Sequence, residues 1–252
     1  MTFEEFLSNR ELNDIPLYEG INIDIETKSV SFTDSHEDYV DTSLSNNPKN
    51  KIGVYSVFTR KESKDARVSD GNPLVYALKN INGWSISEED KEALWGRITN
   101  ILDKINKDFS VVITAPSSSS LVSLFANRVQ LRYPTALIYD TCLLKRTKEE
   151  IFETMAPWSD YSDAEIQKIS KAFSKMKYWF EAKHYPKELL SRLETDIVKI
   201  NSDFKDGLNI LNKDILIIDD VISSGFSLGS CANAINESYS PNSITNLVLF
   251  GK

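Results

Sequence analysis

Cysteine and histidine are scarce in this chain, with two of each in 252 residues. Cys142 and Cys231 lie far apart and suggest no disulfide framework, so a reducing cytosol is the natural compartment. Two histidines and two scattered cysteines also give a zinc site little to build on. No apolar run approaches the roughly 20 residues a membrane-spanning helix needs. The opening MTFEEFLSNREL is acidic and amphipathic, unlike the basic-then-apolar start of a signal peptide. No G-x-x-x-x-G-K-[ST] occurs, so an NTPase of the P-loop kind lacks its phosphate cradle. Positive charge is in deficit as well: 29 Lys and Arg face 37 Asp and Glu, for a net charge of −8 and a pI near 5.0. That balance argues against nucleic acid or an anionic membrane as partner, although a local basic groove stays open.

What is present is enough apolar residue, 41%, for one large domain or a core with an elaborate insertion. The most informative stretch is Asp214 to Gly229, DILIIDDVISSGFSLG. Ile215 to Ile218 read as a strand buried on both faces, the usual state in a parallel sheet. The strand runs into Asp219 and Asp220, which places two carboxylates at the carboxyl edge of the sheet, where open α/β folds bind ligands. Ser223, Ser224, Gly225, Phe226 and Ser227 then form a small hydroxyl-rich loop leading into a helix. Such a loop offers unpaired N–H groups, hydroxyls and a positive helix end to a phosphate. An acidic pair for a diol or metal, with a phosphate cradle just after it, suits a ribose 5-phosphate. Two plainer readings stay open: a buried strand with a turn and an N-capped helix, or a Walker B strand.

The same stretch resembles the PRPP-binding motif of type I phosphoribosyltransferases: four apolar residues, two acidic, two apolar, then a small loop with one glycine. The resemblance implies an α/β fold with a mostly parallel sheet flanked by helices, and transfer of phosphoribosyl from PRPP to a nucleobase or amine. By the same resemblance Asp219 and Asp220 take the ribose and Mg²⁺ role, and Ser223, Ser224, Gly225, Phe226 and Ser227 bind the 5-phosphate. Purine-salvage members of the hypoxanthine–guanine type usually carry an acidic residue where this chain has Ser223. That departure argues against a 6-oxopurine acceptor and leaves orotate-like, uracil-like, amine or other acceptors.

A second loop of this kind lies in DFSVVITAPSSSSLVSLFANRVQLRY, between a strand at Val111–Thr114 and a helix at Leu121–Arg132. It is similar to the family's pyrophosphate loop, which implies a pyrophosphate role for Ser117, Ser118 and Ser119. A serine linker is the alternative, and the apolar strand and periodic helix on either side weigh against it. DGNPLVYALKNINGW follows a strand at Ile52–Phe58 and reads as a helix with Asp70 or Asn72 as N-cap and Pro73 in its first turn. It loosely resembles a segment of the competence-associated ComF branch, which implies that Lys79 approaches the pyrophosphate. The same branch makes Arg146 and Lys148 candidate phosphate ligands, against the reading of a solvated basic turn.

Further strands are expected at Ala136–Tyr139 and Ile244–Phe250, and a helix at Ser87–Ile105. Residues 1–50 read as an N-terminal cap, with INIDIETKSVSFTD able to pair as a hairpin. The resemblance makes this region a hood over the substrate, and 51–252 a core with a helical insertion at 148–208. In that insertion Ser162 and Glu165 have capping-box spacing, and Ile166, Ile169, Phe173, Met176 and Phe180 follow helical spacing. Lys175, Lys177, Lys183 and His184 interleave with Tyr178, Trp179 and Tyr185, either as a solvated face over core aromatics or as an active-site lid or interface. An acceptor pocket would draw on the cap, the insertion or a second copy in a homodimer. Two other function classes fit the same residues: a non-catalytic PRPP or nucleotide sensor, and a ComF-like accessory protein of DNA uptake.

Overall fold

A computed structural model describes residues 21–24, 26–32, 41–44, 53–58, 73–117, 120–182, 184–193, 196–204, 207–221 and 225–251. The chain is α/β. Its main sheet contains β3 (Asp41–Leu44), β4 (Gly53–Phe58), β6 (Val111–Thr114), β7 (Leu137–Tyr139), β10 (Asp214–Val221) and β11 (Ser243–Phe250), in the order β3-β4-β11-β10-β6-β7. Five of these strands are parallel, and β3 is an antiparallel edge strand on β4. β10 sits between β11 and β6, with Ile217 opposite Asn246 on one side and Ile113 on the other.

That central position explains the unbroken apolar run. Ile215 and Ile217 join one hydrophobic core, while Leu216 and Ile218 join the core on the opposite face. The first core also takes in Leu228, Cys231, Ala232 and Ile235 of α6 (Phe226–Ser238). The second is covered by α1 (Pro73–Lys79), α2 (Glu88–Ile105) and α3 (Ser120–Arg132). Local capping holds α2 in register: the Ser87 hydroxyl accepts from the Asp90 N–H, and Asn106 closes the far end in the left-handed region at φ 49°.

The two alternating runs near the start do pair, as β1 (Ile21–Asp24) and β2 (Ser29–Phe32), in an antiparallel hairpin. A two-residue strand, β5 (Ser85–Ile86), adds to it in parallel. The hairpin's buried residues Ile21 and Val30 belong to the α1–α3 core, and Phe32 stacks on Phe58 at 5.7 Å. Because β3 pairs with β4, a boundary at residue 50 falls between two strands of one sheet. Asp70 and Asn72, the N-cap candidates for α1, lie outside the described residues.

Residues 148–208 depart from an all-helical reading. The segment contains α4 (Lys148–Glu153), α5 (Asp163–Lys175) and three short 3₁₀ turns, but also β9 (Val198–Ile200), which pairs antiparallel with β8 (Leu143–Lys145). The expected capping box is formed: Ser162 and Glu165 bond each other's backbone N–H. A second box, Thr147 with Glu150, starts α4. Helix α5 stops at Lys175, and the following residues run extended beside Arg146–Lys148. Phe180 N–H donates to the Arg146 carbonyl, and Lys148 N–H to the Tyr178 carbonyl. Tyr-Trp-Phe, bulky and aromatic, is a poor helix sequence and a good extended one. Ile151, Ile169, Met176, Phe180 and Tyr185 are buried together with α6 and the sheet. The insertion is therefore a structural layer on the α6 face of the sheet. Among the described residues, no helix is long and apolar enough to cross a membrane.

Candidate functional site

Asp219 and Asp220 lie near the carboxyl end of β10, both half-buried. They line one cavity, of about 330 Å³, together with Ala115, Pro116 and Ser117 beyond the end of β6, and Lys145, Trp179 and Ser227. Parallel neighbours β10 and β6 bring these two strand ends to the same edge of the sheet. The Ala115 N–H donates to the Ile218 carbonyl at 2.8 Å, fixing the start of the second loop against the acidic strand.

Alternation along β10 sends Asp219 and Asp220 to opposite sides of the strand, and each has its own surroundings. Asp219 Oδ1 accepts the Asp220 N–H at 2.9 Å. Burial, and then the adjacent Asp220 carboxylate, push Asp219 from an ordinary 3.8 up to about 8, with Lys145 pulling weakly the other way. Asp220 Oδ2 accepts from Lys79 Nζ at 3.3 Å, both side chains partly buried. Lys79 thus comes to the site as expected, but onto the acidic pair and not onto the Ala115–Ser117 loop.

This electrostatic arrangement has a measurable consequence for stability. Asp219 holds its proton in the folded chain up to about pH 8, whereas the unfolded chain gives it up near 3.8. Below both values the residue has no effect. As pH rises between them the folded state binds the extra proton, so stability falls, and above about 8 the penalty is complete. Asp219→Asn should remove this slope and raise the unfolding free energy at pH 8 by more than about 1 kcal/mol, as a site residue that is out of place energetically. Urea unfolding of both proteins at pH 5 and pH 8 reads it. Equal pH slopes in the two would contradict the assignment.

Of the expected phosphate loop, Ser223 and Ser224 lie outside the described residues. Gly225 is in the left-handed region at φ 73° and is the N-cap of α6. Phe226 and Ser227 are the helix's first two residues and not loop. The Phe226 ring is buried in the core, so only its backbone is placed to meet a ligand, while Ser227 lines the cavity. The apolar residue after a cap glycine is drawn inward because α6 must cover the sheet. Gly225 lets the chain turn into that helix without a Cβ clash.

On the second loop Ser117 is exposed and lines the cavity, and Ser118 and Ser119 lie outside the described residues. Arg146 and Lys148 are turned elsewhere. Arg146 Nε donates to the Asp196 carbonyl at 2.9 Å, with Glu150 near its guanidinium, and Lys148 Nζ donates to the Met176 carbonyl at 3.1 Å. Both secure the insertion. Among the described residues the cation that lines the cavity is Lys145, which no motif in the sequence marks out. Neighbours in extended backbone face opposite ways, so Lys145 and Arg146 could not both serve the site. That parity was the available signal. Trp179 was singled out only as one aromatic of a patch, and it lines the cavity with its side chain 42% exposed overall.

The thiols take no part. Both cysteines are free and buried, and burial raises Cys142 to about 12 and Cys231 well above its ordinary value. Among the described residues no group of three or more His, Cys, Asp or Glu could cage a metal. Two adjacent carboxylates are the kind of donor set that suits a Mg²⁺ keeping most of its waters. No family model matches the chain, and no curated protein matches it in sequence.

Proposed function

We propose that the chain is a phosphoribosyltransferase of the type I kind, binding PRPP with Mg²⁺ and transferring phosphoribosyl to a nucleobase or amine with release of pyrophosphate. The observation that carries this reading is the shared cavity of Asp219 and Asp220 with Ala115–Ser117, beside the N-terminus of α6. Each of the three parts is ordinary alone. Together they offer a diol and metal site, a leaving-group loop and a phosphate end within one cleft.

In this reading Asp219 and Asp220 hold the ribose hydroxyls and Mg²⁺, whose charge offsets that of the departing pyrophosphate. Ser117 and Lys145 receive the pyrophosphate, and the positive N-terminal end of α6 takes the 5-phosphate. Displacement at C1 passes through an oxocarbenium-like state, so positioning and charge do the catalysis and no strong general base is required. The hairpin β1–β2 is the hood in this scheme, and the acceptor enters from its side.

A sensor reading has one observation in its favour. Lys79 Nζ pairs with Asp220 Oδ2, a contact that a ligand of the acidic pair would have to break. Incubation with PRPP, Mg²⁺ and a panel of bases and amines separates the two. Pyrophosphate release with at least one acceptor is expected. PRPP binding without release from any acceptor would favour the sensor, and no PRPP binding would end both.

A further inference from the structure

A second cavity, of about 210 Å³, opens beside the first and shares Ala115, Pro116, Ser117, Lys145 and Trp179 with it. We infer that it is a binding pocket for the amino-bearing base of a nucleoside monophosphate, whose phosphate reaches Lys145 at the junction of the two cavities. The proposed transfer reaction uses Ser117 and Lys145 at the junction but not the Val122, Asp140 and Leu143 part of this pocket. It lies on the pyrophosphate-loop side of the site, so a base in it could not attack C1 opposite the leaving group.

The walls define the ligand. Val122 and Leu143, both buried, together with Ala115 and Pro116 give an apolar floor, and the exposed indole of Trp179 offers a stacking face. A cavity of this size admits one heterocycle and is below the usual volume for a whole drug-sized ligand. At its rim stands Asp140. One carboxylate oxygen accepts from the Thr114 hydroxyl at 2.6 Å and the other from the Ser123 hydroxyl at 2.7 Å. The carboxylate is thereby held in a fixed orientation with lone pairs to spare, and an ionised carboxylate only accepts. A ligand must therefore bring N–H groups to this end, and a polyanion is repelled from it. At the other end Lys145 is a cation that lines both cavities. A flat body, N–H donors at one end and negative charge at the other describe an amino-substituted nucleotide.

Lys145 serves both cavities, so the nucleotide and pyrophosphate compete for it. Binding here would tie occupancy of the transfer site to the level of a nucleotide, whichever acceptor the site uses.

Calorimetry on the full chain with AMP and with purine riboside 5′-monophosphate, which lacks the exocyclic amine, tests the inference. AMP should bind at least tenfold more tightly. Asp140→Ala should abolish that preference in a chain that stays folded, its melting temperature lowered because the buried Thr114 hydroxyl loses its acceptor, and Trp179→Ala should weaken both ligands, with Trp179→Phe restoring most of the loss. Equal affinities for the two ligands in the unmodified chain, no detectable AMP binding, or a preference that survives Asp140→Ala would each overturn it. The outcome is distinct from that of the transfer reading. Asp220→Asn should leave the AMP preference intact, and a chain that binds AMP selectively but never PRPP would keep this pocket and lose the proposed function.

Discussion

Asp220→Asn is expected to abolish measurable PRPP–Mg²⁺ binding while the protein stays folded. Removing one charge from a partly desolvated ion-binding pair typically costs about 2–5 kcal/mol, a factor of about 30 to several thousand in affinity. Asp220 has no other structural duty of that size. Among the described residues its ion pair is with Lys79, between partly exposed groups, and such pairs contribute about 0–1 kcal/mol. The Asp220 N–H bond to Asp219 is made by backbone and survives the change. Calorimetry for PRPP and a thermal melt, run on the same preparation, check both halves. Unchanged PRPP affinity in a folded variant would refute the role given to this residue.

Phe180→Ala should produce the larger loss of stability, about 3–5 kcal/mol. The ring is fully buried where the insertion meets the α6 face of the sheet, 5.3 Å from Tyr185 and 6.1 Å from Phe173 by ring centroids. Truncation leaves a cavity that rigid aromatic neighbours fill poorly. Domains are stable by about 5–15 kcal/mol in all, so the variant would stand near its limit at physiological temperature. It should also reach the site. Phe180 anchors the extended residues that present Trp179, and the bond from its N–H to the Arg146 carbonyl holds that strand beside β8. Urea unfolding monitored by circular dichroism gives the energy. A loss under about 1 kcal/mol would show that the insertion packs independently of this ring.

The parts of the fold that were plain from sequence are those where one physical demand dominates. Ile215–Ile218 could only be a doubly buried strand, and the Ser162–Glu165 box could only begin a helix. The strands Val111–Thr114 and Ile244–Phe250 and the helix at Glu88–Ile105 were legible for the same reason. The insertion was harder to read. Its charged helices hid the β8–β9 ribbon, because three-residue strands leave too short a pattern to see. Met176 and Phe180 kept the expected apolar spacing although the helix ends before both, since extended backbone can bury the same residues.

At the site the acidic pair and the Ala115–Ser117 loop were legible as local chemistry, and their meeting in one cavity required the sheet order. Lys145 was missed because tertiary placement, and not residue type, decides which of three neighbouring cations faces inward. Phe226 was misplaced because a glycine-led loop and the first turn of a helix read alike until packing shows where the ring goes.

The order of the sheet has a further consequence for synthesis on the ribosome. Among the described residues, β4 and its edge partner β3 are hydrogen-bonded to the rest of the main sheet through β11, which is translated long after them. The nascent chain must therefore carry an exposed, half-finished hairpin past the tunnel exit while α2, β6 and the whole insertion emerge. Such distant pairing slows assembly and leaves a sticky edge open to neighbours. A chaperone that shields early segments would help this protein most during its own translation.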